Sequence, residues 1–332
     1  MEIIIFFVSL ISAVIPMMFY LLIIWWMDRN EREPFGAVLL SFVWGATGAI
    51  VLAIIGSLIF QIPVSRAIEI IGGTQSTVDL SGAVITAPLV EETTKGIFLL
   101  LFALRKQFDG VVDGVVYGGA VGLGFGMTEN FMYFLSYSSD PSTWIMVIII
   151  RTLFSAVMHC MSQATFGAFI GFAKFKSIIL KLLLIPAGLA MAMFLHFMWN
   201  LTVSFQDTSL LGMAFMLLYG FSLLAIFQIA LYFESKTIMR ELTEESKEGV
   251  IPAEHLNYLP YVSRRLKSGW SPQGVNQKEY VKTAITLALR RHQFKNSKGS
   301  TQQGYKYEIE TLRYKIQMMF YNANLQYQNR QN

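Results

Sequence analysis

Cysteine is almost missing. Cys160 is the single one among 332 residues, which excludes a disulfide framework within the chain. Charge is scarce as well: 14% of residues are charged and 54% are hydrophobic, where a soluble domain would carry about a quarter charged. An ordinary soluble domain is therefore excluded, and the apolar runs that replace the charges give a mean hydropathy of +0.49. The N-terminus lacks a basic n-region and a small-residue cleavage site. Its first apolar run also exceeds a secretory h-region of about 7–15 residues, so it reads as a signal anchor. No HExxH pair occurs, so a local zinc-protease motif is absent.

What is present is a series of apolar segments long enough to cross a bilayer, which takes about 20 residues each. They fall at roughly 3–27, 36–62, 81–104, 110–136, 147–173, 182–204 and 209–233. The expected fold is all-α: a polytopic transmembrane helical bundle of about seven spans, residues 1–233. A basic, mostly helical, soluble cytoplasmic tail follows over 234–332. From Glu234 onward 16 Lys and Arg face 9 Asp and Glu, against 10 and 13 before it. Anionic lipid accounts for such a tail, so no nucleic-acid partner is needed. Arg29 and Arg32, Arg105 and Lys106, and Lys174, Lys176 and Lys181 occupy alternate loops on the tail's side. The positive-inside rule then places the protein in the cell membrane with its N-terminus extracytoplasmic and its C-terminus cytoplasmic. Within the tail, His255 and His292 read as surface histidines.

The fourth span carries Gly110, Gly114, Gly118, Gly122 and Gly126 at every fourth position, a face on which a neighbouring helix packs backbone to backbone. Ionisable groups inside spans cost several kcal/mol each and are functional candidates by default. The chain has Glu91, Glu92 and Lys95 in "EETTK", Glu129 in "GFGMTENF", Arg151, His159, and His196 with Asn200 in "HFMWN". Counting about 1.5 Å per residue from the span ends brings these groups, from four helices, to one layer between the midplane and the outer third. Lys95 lies i,i+4 from Glu91 and i,i+3 from Glu92, so it can neutralise one carboxylate and leave the other as a general base. Three chemistries remain open on these residues: a carboxylate-activated water, a His/His/carboxylate zinc set drawn from His159, His196 and Glu91 or Glu129, and a proton relay in a transporter.

The order EExxK (Glu91 to Lys95), FxxxE (Phe125 to Glu129), then His159 and His196 in two later spans resembles the PrsW family of intramembrane proteases, as does the loop "DRNEREPFG". The likeness covers roughly 28–204 and leaves the tail outside. That family is distantly similar to type II CAAX prenyl endopeptidases, whose HxxxN motif has the form of His196 to Asn200. Their EExxxR and FxxxH stand here as EExxK and FxxxE. The resemblance implies a glutamic endopeptidase needing no cofactor or metal. Glu91 would act as base on a water held with Glu129 or His159, His196 and Asn200 as oxyanion donors, and Glu92, Lys95 and Arg151 as supports. It also implies regulated proteolysis of a membrane protein, as with anti-sigma factors. The depth of the polar layer points to a single-span substrate cut near its extracytoplasmic side.

Overall fold

The computed structural model describes residues 2–106 and 108–331. Among these residues there is no strand. Seven helical passes follow one another. The first is α1 (Glu2–Met27). The second joins α2 (Phe35–Trp44) and α3 (Ile50–Ile70) through a π-helical turn at Gly45–Ala49. The third joins α4 (Gln75–Ser81) and α5 (Ala87–Phe102) through a π-turn at Gly82–Thr86. Then come α6 (Val111–Ser136), and α7 (Pro141–Ile150) joined to α8 (Ala156–Ala173) by a π-turn at Arg151–Ser155. The last two are α9 (Ile178–Val203) and α10 (Gln206–Lys247). Six of these passes are long and apolar enough to cross a membrane; the third is interrupted and carries Asp79, Glu91, Glu92 and Lys95. Local chemistry sets the helix starts. Asp140 caps α7 by accepting from the Thr143 backbone N–H at 2.9 Å, with Pro141 at the first helical position.

The chain divides into two compact units. One holds α1 and Glu33–Phe227; the other holds Asp28–Arg32 and the chain from Gln228 onward. In the first unit α6 is the central post, buried from Val112 to Gly126. A Cβ on Gly114, Gly118 or Gly122 would overlap the carbonyls of Gly167, Gln163 and His159 in turn, so α6 and α8 touch through their backbones. On another face, a Cβ on Gly124 or Gly45 would overlap the carbonyls of Phe42 and Val121. The glycine face expected from sequence thus meets α8, and Gly124 adds a contact with α2 that the four-residue repeat did not contain.

The second unit has its own core of Ile238, Leu242, Leu259, Tyr280, Ala284, Leu287 and Ile316. These come from the end of α10, from α12 (Gln277–Asn296) and from α13 (Gly299–Gln331), with Leu259 supplied by the turn before the short α11 (Val262–Arg265). Gly249, with φ of 77°, follows the end of α10 in the left-handed conformation. Arg265 is buried and donates to the carbonyls of Asn30 and Arg29, both at 3.1 Å. His255 is not a surface histidine. It is buried against Trp270, Tyr280 and Phe320 and hydrogen-bonded to the Tyr280 hydroxyl at 2.9 Å. Its polar flanks in the sequence concealed an aromatic cage assembled from α12, α13 and Trp270 in the segment between α11 and α12. His292 is half-buried.

Candidate active site

Helix α5 carries Pro88 in its first turn, directly after the π-turn at Gly82–Thr86. One turn later it presents Glu91, Glu92 and Lys95. The Lys95 ammonium is fully buried and lies 2.7 Å from Glu92 Oε1, 3.4 Å from Glu91 Oε2 and 2.9 Å from His159 Nδ1. It also stands 3.8 Å from the centre of the Phe125 ring. The two glutamates differ sharply. Glu92 is completely buried and accepts four hydrogen bonds, from Lys95, from His196 Nδ1 at 2.8 Å, from Ser162 Oγ at 3.0 Å and from Gln163 Nε2 at 2.7 Å. Glu91 keeps 14% of its side chain exposed, and its contact with Lys95 is the long one. A carboxylate with every lone pair satisfied is a fixed strut. The one beside it is free to bind something else.

Helix α6 brings Glu129 to the same place. Its carboxylate pairs with Arg151 at 2.6 Å and with His159 Nε2 at 2.7 Å. Arg151, the first residue of its π-turn, also donates to Asn130 Oδ1 at 3.1 Å and lies over the Tyr133 ring at 3.6 Å. With Lys95 donating to Nδ1, the His159 ring carries its proton on Nε2 and donates it to Glu129. The His159 and His196 rings meet edge to face, with centroids 4.9 Å apart. Glu91, His159 and His196 each offer one ligand atom, and these three atoms lie within 4.8 Å of one another. A cavity of about 570 Å³ opens in front, lined by Glu91, Glu129, Phe125 and Tyr133 on one side and by α3 on the other.

Seven of the eight residues singled out in the sequence therefore form one connected cluster: Glu91, Glu92, Lys95, Glu129, Arg151, His159 and His196. Asn200 sits one turn beyond His196, and its Nδ2 donates to the carbonyl of Ala83 at 2.7 Å, inside the π-turn before α5. Sequence reasoning missed Ser162, although a polar residue three positions after His159 in an apolar helix was a usable signal. It also missed Tyr133, which nothing in its spacing distinguished, and the buried Glu33, whose carboxylate accepts from the Tyr117 hydroxyl.

Residues 33–229 match the family model described as PrsW family intramembrane metalloprotease. The chain is 28% identical over 165 residues to Protease PrsW of Clostridioides difficile (strain 630), covering 49% of this chain and 65% of that protein. It is 26% identical over 151 residues to Protease PrsW of Bacillus subtilis (strain 168), covering 45% and 62%. To Protease PrsW of Shouchella clausii (strain KSM-K16) it is 31% identical over 108 residues, covering 32% and 47%. The chain thus spans less than two thirds of the length of each of these relatives. No solved structure matches it.

Proposed function

This chain belongs to the PrsW family of intramembrane proteases, and on that premise we propose that it is an endopeptidase that cuts a membrane-spanning protein with a water activated by Glu91. One observation carries the reading. The Glu91 carboxylate and an imidazole nitrogen of His196, from different helices, lie within 4.8 Å of each other, and Glu91 lines an open cavity. Two such atoms can share one water at about 2.8 Å from each.

In this scheme the water donates one hydrogen to Glu91 and the other to the second ring nitrogen of His196, whose Nδ1–H is held by Glu92, as a buried carboxylate holds the imidazole in hydrolytic triads. As its oxygen attacks the scissile carbonyl, one proton passes to Glu91. The new Glu91 O–H then donates to the oxyanion of the tetrahedral intermediate. When the C–N bond breaks, Glu91 returns the proton to the departing amine. Glu129, His159 and Arg151 hold Lys95 and the cavity wall in register, and Asn200 fixes the π-turn that aims α5.

The family description implies a metal, and the donors can be tested against one. Hydrolytic zinc takes three protein ligands. Glu91 suits the role, as does His196 with Glu92 behind it. His159 does not, because its nitrogens are already engaged by Lys95 at 2.9 Å and Glu129 at 2.7 Å. The Lys95 ammonium, moreover, already places a cation among Glu91, Glu92 and His159. The set does not fit a resident metal.

The alternating basic loops support an extracytoplasmic N-terminus and a cytoplasmic C-terminus. With that orientation the substrate is a single-span protein, anti-sigma-factor-like, cut near its extracytoplasmic side. The test compares new N-termini of membrane proteins in cells expressing the native chain and Glu91→Gln. Termini within or beside single spans should disappear in the variant and persist in native membranes treated with a zinc chelator. Termini that survive in Glu91→Gln would remove the mechanism, and loss on chelation with recovery on added zinc would replace it with a metal-dependent one.

A further inference from the structure

The second pass packs in two different ways along its length. Up to the π-turn at Gly45–Ala49 it lies backbone to backbone on α6, and the Thr128 hydroxyl donates to the Ala46 carbonyl at 2.8 Å. Beyond the turn only Ile50 and Ala53 of α3 are buried, while Ile54, Leu58 and Ile62 are exposed. The 570 Å³ cavity fills the angle between them. Its α3 wall is Ile50, Ala53, Ile54, Ser57, Leu58, Gln61, Ile62 and Ser65, and its opposite wall carries Glu91 and Glu129.

The composition of the α3 wall is selective. Between Ile50 and Ser65 there are three polar side chains, Ser57, Gln61 and Ser65, and all three line the cavity. Each lies four residues from the next, on one helix face. Plain lipid contact would favour leucine there. Gln61 has a structural duty: it donates to the Val78 carbonyl at 3.0 Å and accepts from the Thr86 hydroxyl at 2.6 Å, which ties α3 to the pass that bears Glu91. The tie holds the far end of α3 at a set distance and keeps the groove open.

A peptide bond inside a helix is shielded from attack, so a membrane-spanning substrate must unwind before it is cut. In hydrocarbon its freed N–H and C=O groups then need partners. We infer that the groove between α3 and α6 receives an unwound, extended segment of the substrate, with the Ser57 hydroxyl serving its backbone and Ile50, Ala53, Ile54 and Met132 its side chains. This rests on the peptidase reading above and adds the docking route to it. The wall from residue 50 to 65 runs about 22 Å at 1.5 Å per residue, which matches six or seven residues of extended chain at about 3.3 Å each. An occupant of that length passes in front of Glu91.

The test uses the full chain in its native membrane. Ser57→Trp fills the groove without touching a catalytic group, and Phe60→Trp, on a lipid-exposed position outside the groove, is the control. Ser57→Trp should lower Glu91-dependent new N-termini at least tenfold, with unchanged resistance to unfolding in detergent, and Phe60→Trp should leave them intact. A photo-crosslinker at position 57 in the Glu91→Gln chain should capture the same proteins whose new termini depend on Glu91, and one at position 60 should not. Normal cleavage by Ser57→Trp, or capture of those proteins from position 60 rather than 57, would overturn the groove and leave the peptidase standing. Absence of any Glu91-dependent terminus in native membranes would overturn the peptidase, and the groove with it.

Discussion

The two adjacent glutamates should separate stability from chemistry. Glu92→Ala removes an acceptor that takes hydrogen bonds from Lys95, His196, Ser162 and Gln163 in a fully buried position. It leaves an ammonium group short of its closest counter-charge and three further donors, on His196, Ser162 and Gln163, short of an acceptor. Breaking a buried pair by deleting one partner costs about 3–5 kcal/mol, which is roughly two to three and a half powers of ten in the folding equilibrium. Glu91→Gln removes only one long contact, at 3.4 Å, from a partly exposed side chain, worth about 1 kcal/mol or less. Reversible SDS titration in mixed micelles, followed by tryptophan fluorescence, reads both. Glu92→Ala should unfold at a clearly lower SDS fraction than the native chain, with Glu91→Gln close to native and inactive. Equal midpoints for native and Glu92→Ala, or a Glu91→Gln midpoint as low as that of Glu92→Ala, would refute the assignment of strut and base.

The helix seam offers a second measurement. Gly122→Val must push α6 away from the His159 carbonyl, an overpacking cost of about 1–3 kcal/mol that also displaces His159, so both the SDS midpoint and cleavage should fall. Gly110→Ala, with nothing within 4 Å of the new Cβ, should change neither. In the tail unit, burial holds the His255 pKa below its ordinary value, so the unfolded state binds more protons as pH drops below about 6.5. Stability is complete above that pH and is lost as pH falls toward the folded value. Protection factors of the tail amides, which are corrected for the intrinsic slowing of exchange toward acid, should therefore fall between pH 7.5 and 5.5, and His255→Gln should flatten the response.

The parts of the site that were legible in the sequence are those carried by short-range spacing on one helix. The intervals from Glu91 and Glu92 to Lys95 foretold contacts that the structure places at 3.4 and 2.7 Å. Apolar length revealed the passes, and the four-residue glycine repeat revealed a face for close packing. Contacts across a π-turn were not legible in the same way. Such a turn inserts a residue and rotates everything beyond it relative to a regular helix, so counting from a span end gives depth but not direction. The turn at Gly82–Thr86 also presents the Ala83 carbonyl to Asn200, a partner no wheel drawn on α9 alone would suggest. The tail was obscured for a different reason. Arg291 and Arg313 look like solvated charges in the sequence, yet both bind the buried Glu245. Residues that read as surface thus stand at the edge of a core.

The charges explain why the cluster needs Lys95 and Arg151 together. Three carboxylates, Glu91, Glu92 and Glu129, share the site with two permanent cations. Each cation has one close carboxylate: Lys95 holds Glu92 at 2.7 Å and Arg151 holds Glu129 at 2.6 Å. The unbalanced negative charge is left on Glu91, the carboxylate with the longest contact, in front of the cavity. Uncompensated charge is expensive in a poorly solvated place, and a bound water relieves it by donating a hydrogen bond, which is also the first requirement for making that water a nucleophile.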